Sequence, residues 1–203
     1  MPETSKQNPS DSVHSDQKCK WIVPPGLHKA VNDFVYLYEL LYSSQRHNLS
    51  NRRPLMIIGD SGVGKSLFTD IFEKLHRLDY PSSKIQTLNC AAFPKDLILA
   101  ELFGYKKGAF TGAIKDKVGL LKTADGGLVI LEEIGELTEP DQAKLLTFLE
   151  NGGRYYPVGS TKEEQTNVDI ISITNQPQNK FRHDFWNRFF QFMARWYYHF
   201  SKQ

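Results

Sequence analysis

Eight consecutive residues, Gly59-Asp60-Ser61-Gly62-Val63-Gly64-Lys65-Ser66, are suited to holding a polyphosphate. They fit G-x-x-x-x-G-K-[ST] in full, a pattern whose backbone N–H groups turn toward one anion. Lys65 brings a point charge to the β- and γ-phosphates, and the Ser66 hydroxyl can ligate Mg²⁺. Further along stand two adjacent carboxylates, Glu132-Glu133. The first can hold Mg²⁺ through water, and the second can orient and deprotonate an attacking water. Together these groups describe hydrolysis of a nucleoside triphosphate. Between them lies Gly108-Ala109-Phe110-Thr111-Gly112-Ala113. Its glycines free the backbone at both ends, and a bare Phe110 on a polar loop is costly unless something receives it. That placement predicts a part moved by the hydrolysis rather than a passive turn.

The elements that must position these groups follow from hydrophobic spacing. Leu55-Met56-Ile57-Ile58 is a short apolar run expected of a buried parallel strand. After the glycine loop, Leu67, Phe68, Ile71, Phe72, Leu75 and Leu78 recur at helical spacing. The loop therefore follows a strand and opens a helix, with the helix N-terminus aimed at the anion. This context separates it from a chance Gly-rich turn. Leu128-Val129-Ile130-Leu131 forms a second buried strand that delivers Glu132-Glu133 to the carboxyl edge of the sheet, where ligands gather. Alone, the two acids would read as a solvated strand end; beside a complete phosphate loop they read as catalytic. Ile85–Leu88 and Val168–Ile173 supply further strands, and Cys90 is a small core residue on a buried strand. A helix over Leu97–Leu102 enters the Gly108–Ala113 loop, and a helix over Val118–Leu121 leaves it. Pro140 starts a helix bearing Ala143, Leu145, Leu146 and Leu149, and Gly153–Gly159 suggests a small hairpin. A helix from Pro24-Pro25 carries Ala30, Val31, Phe34, Val35 and Tyr38 on one face. Alternating strands and helices predict an α/β fold, a parallel sheet with helices on both faces.

At 203 residues and 40% hydrophobic content, the chain is long enough for one such domain. A net charge of only +2 gives no case for nonspecific DNA binding by the whole domain. Two cysteines make no disulfide framework. No apolar run reaches the length of a membrane span, the polar start lacks the apolar centre of a signal peptide, and the chain reads as cytoplasmic. Residues 1–20, rich in Ser, Asp, Gln and Lys, are expected to be disordered. The folded unit is expected over 21–190, followed by an aromatic tail over 191–203.

The pattern from about Leu55 to about Arg188 resembles the AAA+ ATPase module of bacterial enhancer-binding proteins, which activate sigma-54 RNA polymerase. The GAFTGA string at Gly108–Ala113 is its most specific element. Leu88-Asn89-Cys90-Ala91-Ala92, Glu101-Leu102-Phe103-Gly104, Ala124-Asp125-Gly126-Gly127, Glu133-Ile134-Gly135-Glu136-Leu137 and Gln142-Ala143-Lys144-Leu145-Leu146 match as well. The resemblance implies a P-loop NTPase fold with an inserted GAFTGA loop, ATP and Mg²⁺ as ligands, and a homo-oligomeric ring. It implies that Gly108, Ala109, Phe110, Thr111, Gly112 and Ala113 form the sigma-54 contact, with Phe110 and Thr111 at its tip. Asn89 is the implied switch that holds Glu133 from water, and Asn175 the implied sensor of the γ-phosphate. Arg182 and Arg188 are the implied arginine fingers, reaching the ATP of a neighbouring subunit.

Three departures from the family pattern bear on activity. Glu132 stands where the first acid is normally Asp, and its longer arm can displace a metal that demands near-octahedral geometry. Ser66 stands where the family often has Glu and restores the general P-loop hydroxyl. Lys106-Lys107 precede the loop where Glu is frequent. The helical lid that follows the family's sheet, a helix-turn-helix and a receiver domain are not found in this chain, so a truncated product is expected. Two functions stay open on these residues: an ATPase that remodels sigma-54 polymerase, and a hydrolysis-impaired remnant that binds ATP and sigma-54.

Overall fold

The computed structural model describes residues 28–42 and 54–189. The expected polar leader over 1–20 and the aromatic tail over 191–203 lie outside the described residues. The elements run α1 (His28–Leu41), β1 (Leu55–Ile58), α2 (Lys65–Asp79), β2 (Ile85–Asn89), α3 (Ile98–Phe103), β3 (Gly104–Tyr105), β4 (Lys117–Val118) and α4 (Leu120–Thr123). They continue with β5 (Leu128–Glu132), α5 (Glu139–Glu150), β6 (Arg154–Tyr155), β7 (Glu164–Gln165) and β8 (Asp169–Thr174). Residues 183–189 are again helical.

Four strands form one parallel sheet in the order β1-β8-β5-β2, with Ile58 beside Thr174, Leu131 beside Ser172 and Asn89 beside Glu132. The two central strands are buried almost throughout, which accounts for their near-continuous apolar reading. Because side chains alternate along a strand, each strand feeds two cores. Leu55, Ile57, Leu128, Ile130, Ile171 and Ile173 meet the helices α1 and α2, where the Phe34 ring lies 5.1 Å from Phe68 and Tyr38 5.1 Å from Phe72. Met56, Leu88, Val129, Leu131 and Ile170 face α3, α4, α5 and the last helical segment through Leu102, Phe103, Leu121, Leu145 and Phe185. Burying each such side chain contributes about 1.5–3 kcal/mol.

Polar contacts fix the edges of these layers. At the far end from the phosphate loop, the buried His76 ring of α2 contacts Asp169 of β8 at 3.0 Å and Ser83 at 3.1 Å. Thr138 and Asp141 close a capping box at the start of α5, with Pro140 in the first turn.

Three expectations need correction. Val118 lies in β4, paired with Gly104, and the helix behind the loop is α4, beginning at Leu120. The GAFTGA segment therefore sits on a hairpin whose arms, at Gly104 and Gly119, approach so closely that a Cβ on Gly119 would lie 2.3 Å from the Gly104 nitrogen. Cys90 begins a 3₁₀ turn (Cys90–Ala92) rather than lying on the strand; it is buried, and desolvation pushes its thiol up to about 12. Arg154 and Tyr155 pair with Gln165 and Glu164, beyond the expected Gly153–Gly159 hairpin, while Val158 bridges to Tyr105.

Candidate functional site

The phosphate loop leaves β1 and folds back onto β8, the Gly59 N–H donating to the Thr174 carbonyl at 3.3 Å. Gly62 and Gly64 take φ of 83° and 90°, a conformation open to glycine at no steric cost. Gly64 caps α2 with no side-chain hydrogen bond, so the first N–H groups of a 15-residue helix are not taken by a capping side chain. The Lys65 ammonium donates to the carbonyls of Gly59 and Asp60, both at 2.8 Å, which holds it inside the loop's curve. Ser66 is exposed on the first helical turn, and Asp60, Ser61 and Val63 complete the arch.

The acidic pair arrives on β5, the strand next to β8, onto which the phosphate loop folds. Glu132 ends the strand, half-buried, in register with Asn89 of β2. Glu133 is the one non-glycine among the described residues with a left-handed backbone, φ 50° and ψ 47°. That conformation costs about 1 kcal/mol, and such strain gathers at functional sites. It reverses the chain into a 3₁₀ turn (Ile134–Glu136) pressed against the end of β8. A Cβ on Gly135 would stand 2.4 Å from Gln176 Cγ and 2.9 Å from Thr174 Oγ1. Glu136 is further held by Lys95 at 3.4 Å and by Gln176 at 3.5 Å.

Asn175, the residue after β8, donates from Nδ2 to Ser61 Oγ at 3.3 Å. The implied sensor and the phosphate loop are therefore in contact. Asn89 is placed differently: its Oδ1 accepts the Ala91 N–H at 2.9 Å and caps the 3₁₀ turn over Cys90–Ala92. Its neighbour across the ladder is Glu132, and no hydrogen bond joins it to Glu133 among the described residues.

The two arginines lie beside α5. Arg182 grips Asp184 with two hydrogen bonds, at 3.0 and 2.6 Å, and this pairing draws the Asp184 carboxyl down to about 2. Arg188 is half-buried and donates to the Leu149 carbonyl at 3.3 Å. Sequence reasoning missed a third residue here. Gln142, buried at the start of α5, accepts the Arg182 N–H and donates to Leu137 and Lys180. Its signals were a place in a phrase that matches the family and a polar type on the apolar face of a predicted helix, and neither named a role.

The GAFTGA segment closes on itself. Gly108 N–H donates to the Ala113 carbonyl at 2.8 Å and Ala113 N–H to the Phe110 carbonyl at 3.0 Å. Thr111 is exposed and Ala113 buried. Phe110 is not bare: it is half-buried, its ring edge-on to Tyr105 at 4.9 Å. Ala109 sits against Gly159, and the Lys106 N–H donates to the Val158 carbonyl at 3.0 Å. Asp116 binds the Lys107 N–H at 2.8 Å and the Lys106 ammonium at 2.9 Å, lowering its own carboxyl and raising Lys106. The basic stem is thus half neutralised within the hairpin.

Among the described residues no group of three or more His, Cys, Asp or Glu could hold a metal ion, and no helix is long and apolar enough to cross a membrane. Several known proteins share long stretches of this chain. The Nif-specific regulatory protein of Azotobacter vinelandii is 41% identical over 141 residues, 66% of this chain and 26% of that protein. The luminescence regulatory protein LuxO of Vibrio campbellii is 38% identical over 148 residues, 70% of this chain and 32% of that protein. Thus the chain spans between a quarter and a third of the length of these relatives. The structure of NtrX from Brucella abortus in complex with ATP superposes with a TM-score of 0.59 at 28% identity, covering 79% of this chain and 35% of that one. The sigma-54 interaction domain model matches residues 37–194, most of the chain. A match of that extent, over an AAA+ sheet that carries an intact phosphate loop and GAFTGA hairpin, makes this chain a member of the sigma-54 interaction domain family.

Proposed function

We propose that the chain binds ATP with Mg²⁺ at Gly59–Ser66 and hydrolyses it to ADP and phosphate to remodel sigma-54 RNA polymerase through the GAFTGA hairpin. The observation that carries this reading is the Asn175–Ser61 contact: it ties the γ-phosphate sensor to the phosphate loop at the edge where Glu132 and Glu133 emerge. Lys65, the loop amides and the open N-terminus of α2 would hold the triphosphate. The Ser66 hydroxyl and Glu132 carboxylate are the hard oxygen donors that Mg²⁺ takes when phosphates and waters complete its shell. The metal supplies neutralisation of charge on the phosphate oxygens. Glu133 would accept the proton of the attacking water while Asn175 orients that water or the γ-phosphate.

Arg182 and Arg188 would act on the ATP of a neighbouring copy, which makes a homo-oligomeric ring the working form. Phe110 and Thr111 would touch sigma-54, and the Phe110–Tyr105 contact gives the tip a resting seat. The working unit is taken as residues 21–190, acting in the cytoplasm, with 1–20 and 191–203 as flanking segments.

A second reading, ATP and sigma-54 binding with impaired turnover, is favoured by Glu132, whose extra methylene can displace a metal that demands near-octahedral geometry. The test is binding of labelled sigma-54 in the presence of ATP, ADP and a transition-state mimic. Nucleotide-dependent binding that Phe110→Ala abolishes supports both readings, and ATP turnover on the same preparation supports the proposal over the second; absence of sigma-54 binding in every nucleotide state sinks both readings.

A further inference from the structure

We infer that Gln142 is a positioning residue that locks the backbone of Arg182 to the turn behind the acidic pair. The inference rests on the reading of Arg182 as a finger that acts on a neighbour's ATP. Gln142 is fully buried on the first turns of α5. Its Nε2 donates to the Leu137 carbonyl at 3.0 Å and the Lys180 carbonyl at 3.2 Å, and its Oε1 accepts the Arg182 N–H at 2.8 Å. Carbonyls only accept and a peptide N–H only donates, so the partners fix which way the amide faces.

These partners belong to the two segments that matter for hydrolysis. Leu137 closes the 3₁₀ turn that follows Glu133, and its own N–H donates to the Ile134 carbonyl at 3.1 Å. Lys180 ends the 3₁₀ turn (Gln178–Lys180) on the segment that leaves Asn175 and leads to Arg182. One amide therefore spans the exit from the acid strand, the exit from the sensor strand and the arginine. Asp184 orients the Arg182 guanidinium from the other side, while its Oδ1 also accepts the Phe185 N–H at 2.8 Å. Gln142 fixes the main chain and Asp184 the side chain. Because α5 also supplies the Leu149 carbonyl to Arg188, both arginines take their position from one helix.

No charged group is needed for this task, and a carboxylate would defeat it. Gln142→Glu would set an anion against two carbonyls, whereas Gln142→Met keeps the volume and loses all three hydrogen bonds.

The test uses mixed assemblies of the full chain. Gln142→Met protomers should lose at least tenfold in turnover alone. They should regain turnover when mixed with Lys65→Ala protomers, which have a damaged ATP site but an intact Arg182. Arg182→Ala mixed with Lys65→Ala is the control. If the control regains turnover and the Gln142→Met mixture does not, the inference is overturned, because the defect then lies in the variant's own site. If the control also fails, the finger reading falls. Hydrogen exchange, which needs no turnover, then decides the inference. Loss of protection at the Arg182 amide in Gln142→Met, with Leu145 to Phe148 still protected, supports it; unchanged protection at Arg182 overturns it.

Discussion

Gly135→Ala places one methyl group where the acid-bearing turn meets the end of β8. The added Cβ would lie 2.4 Å from Gln176 Cγ, 2.7 Å from Gln176 Cβ and 2.9 Å from Thr174 Oγ1. Ordinary carbon contacts begin near about 3.5 Å, so the turn must withdraw from β8 by about 1 Å. Two of the opposing atoms sit close to the backbone, and Thr174 Oγ1 is already engaged by the Gln176 N–H at 3.0 Å, so little can yield on that side. Overpacking of this kind costs about 1–3 kcal/mol. For a chain of this size, about 2 kcal/mol lowers Tm by roughly 4–8 °C. The larger effect is geometric, because the proposed hydrolysis needs Glu133 and Asn175 to converge on one water. A misplacement of about 1 Å costs on the order of 100-fold in rate. The phosphate loop is untouched, so ATP affinity should stay within about threefold. Single-turnover hydrolysis and equilibrium nucleotide binding on the same preparation separate the two effects. A rate within about threefold of the parent would refute the claim that the turn's seat on β8 sets the catalytic geometry. An unchanged Tm would refute the packing argument.

Three further outcomes follow from the same structure. On the proposed ATP site, Lys65→Ala would remove a charge-assisted contact to phosphate worth about 1.5–3 kcal/mol, so ATP affinity measured by calorimetry should fall by roughly 10- to 150-fold. Ile171→Ala empties a fully buried position on the central strand β8 and should cost about 2–5 kcal/mol in denaturant unfolding. The Asp184 carboxyl titrates at about 2 when folded, against 3.8 for an ordinary aspartate. A depressed folded value means that its contribution is complete above about pH 4 and is lost as the pH falls toward about 2. Asp184→Asn should therefore differ in stability from the parent near neutral pH and converge with it near the folded value, as followed by thermal melts across that range.

Much of the candidate site's layout was legible because its signals are local. The phosphate loop is punctuated by glycines and flanked by an apolar strand and a helical stripe, so Gly59–Ser66 lands where its pattern requires. The acids at Glu132-Glu133 and the GAFTGA string are likewise contiguous. What escaped depends on contacts between distant segments. A two-residue strand has no period to read, so Lys117–Val118 merged with the helix that begins at Leu120. The seat of Phe110 on Tyr105 and the β6–β7 pairing require the chain to fold back, which no local spacing reports. Gln142 looked like an ordinary helix residue because its partners, at Leu137, Lys180 and Arg182, are backbone groups without side-chain identity. Glu133 in a left-handed conformation is invisible too, since the residue type argues against it.

The central claim, that this fold couples ATP hydrolysis to sigma-54 through the GAFTGA hairpin, is tested most directly by ATP turnover with and without sigma-54 holoenzyme on a pre-melted promoter. The account predicts measurable turnover together with promoter remodelling, and loss of remodelling in Phe110→Ala. Tight ATP binding with no turnover, with or without the holoenzyme, would contradict it.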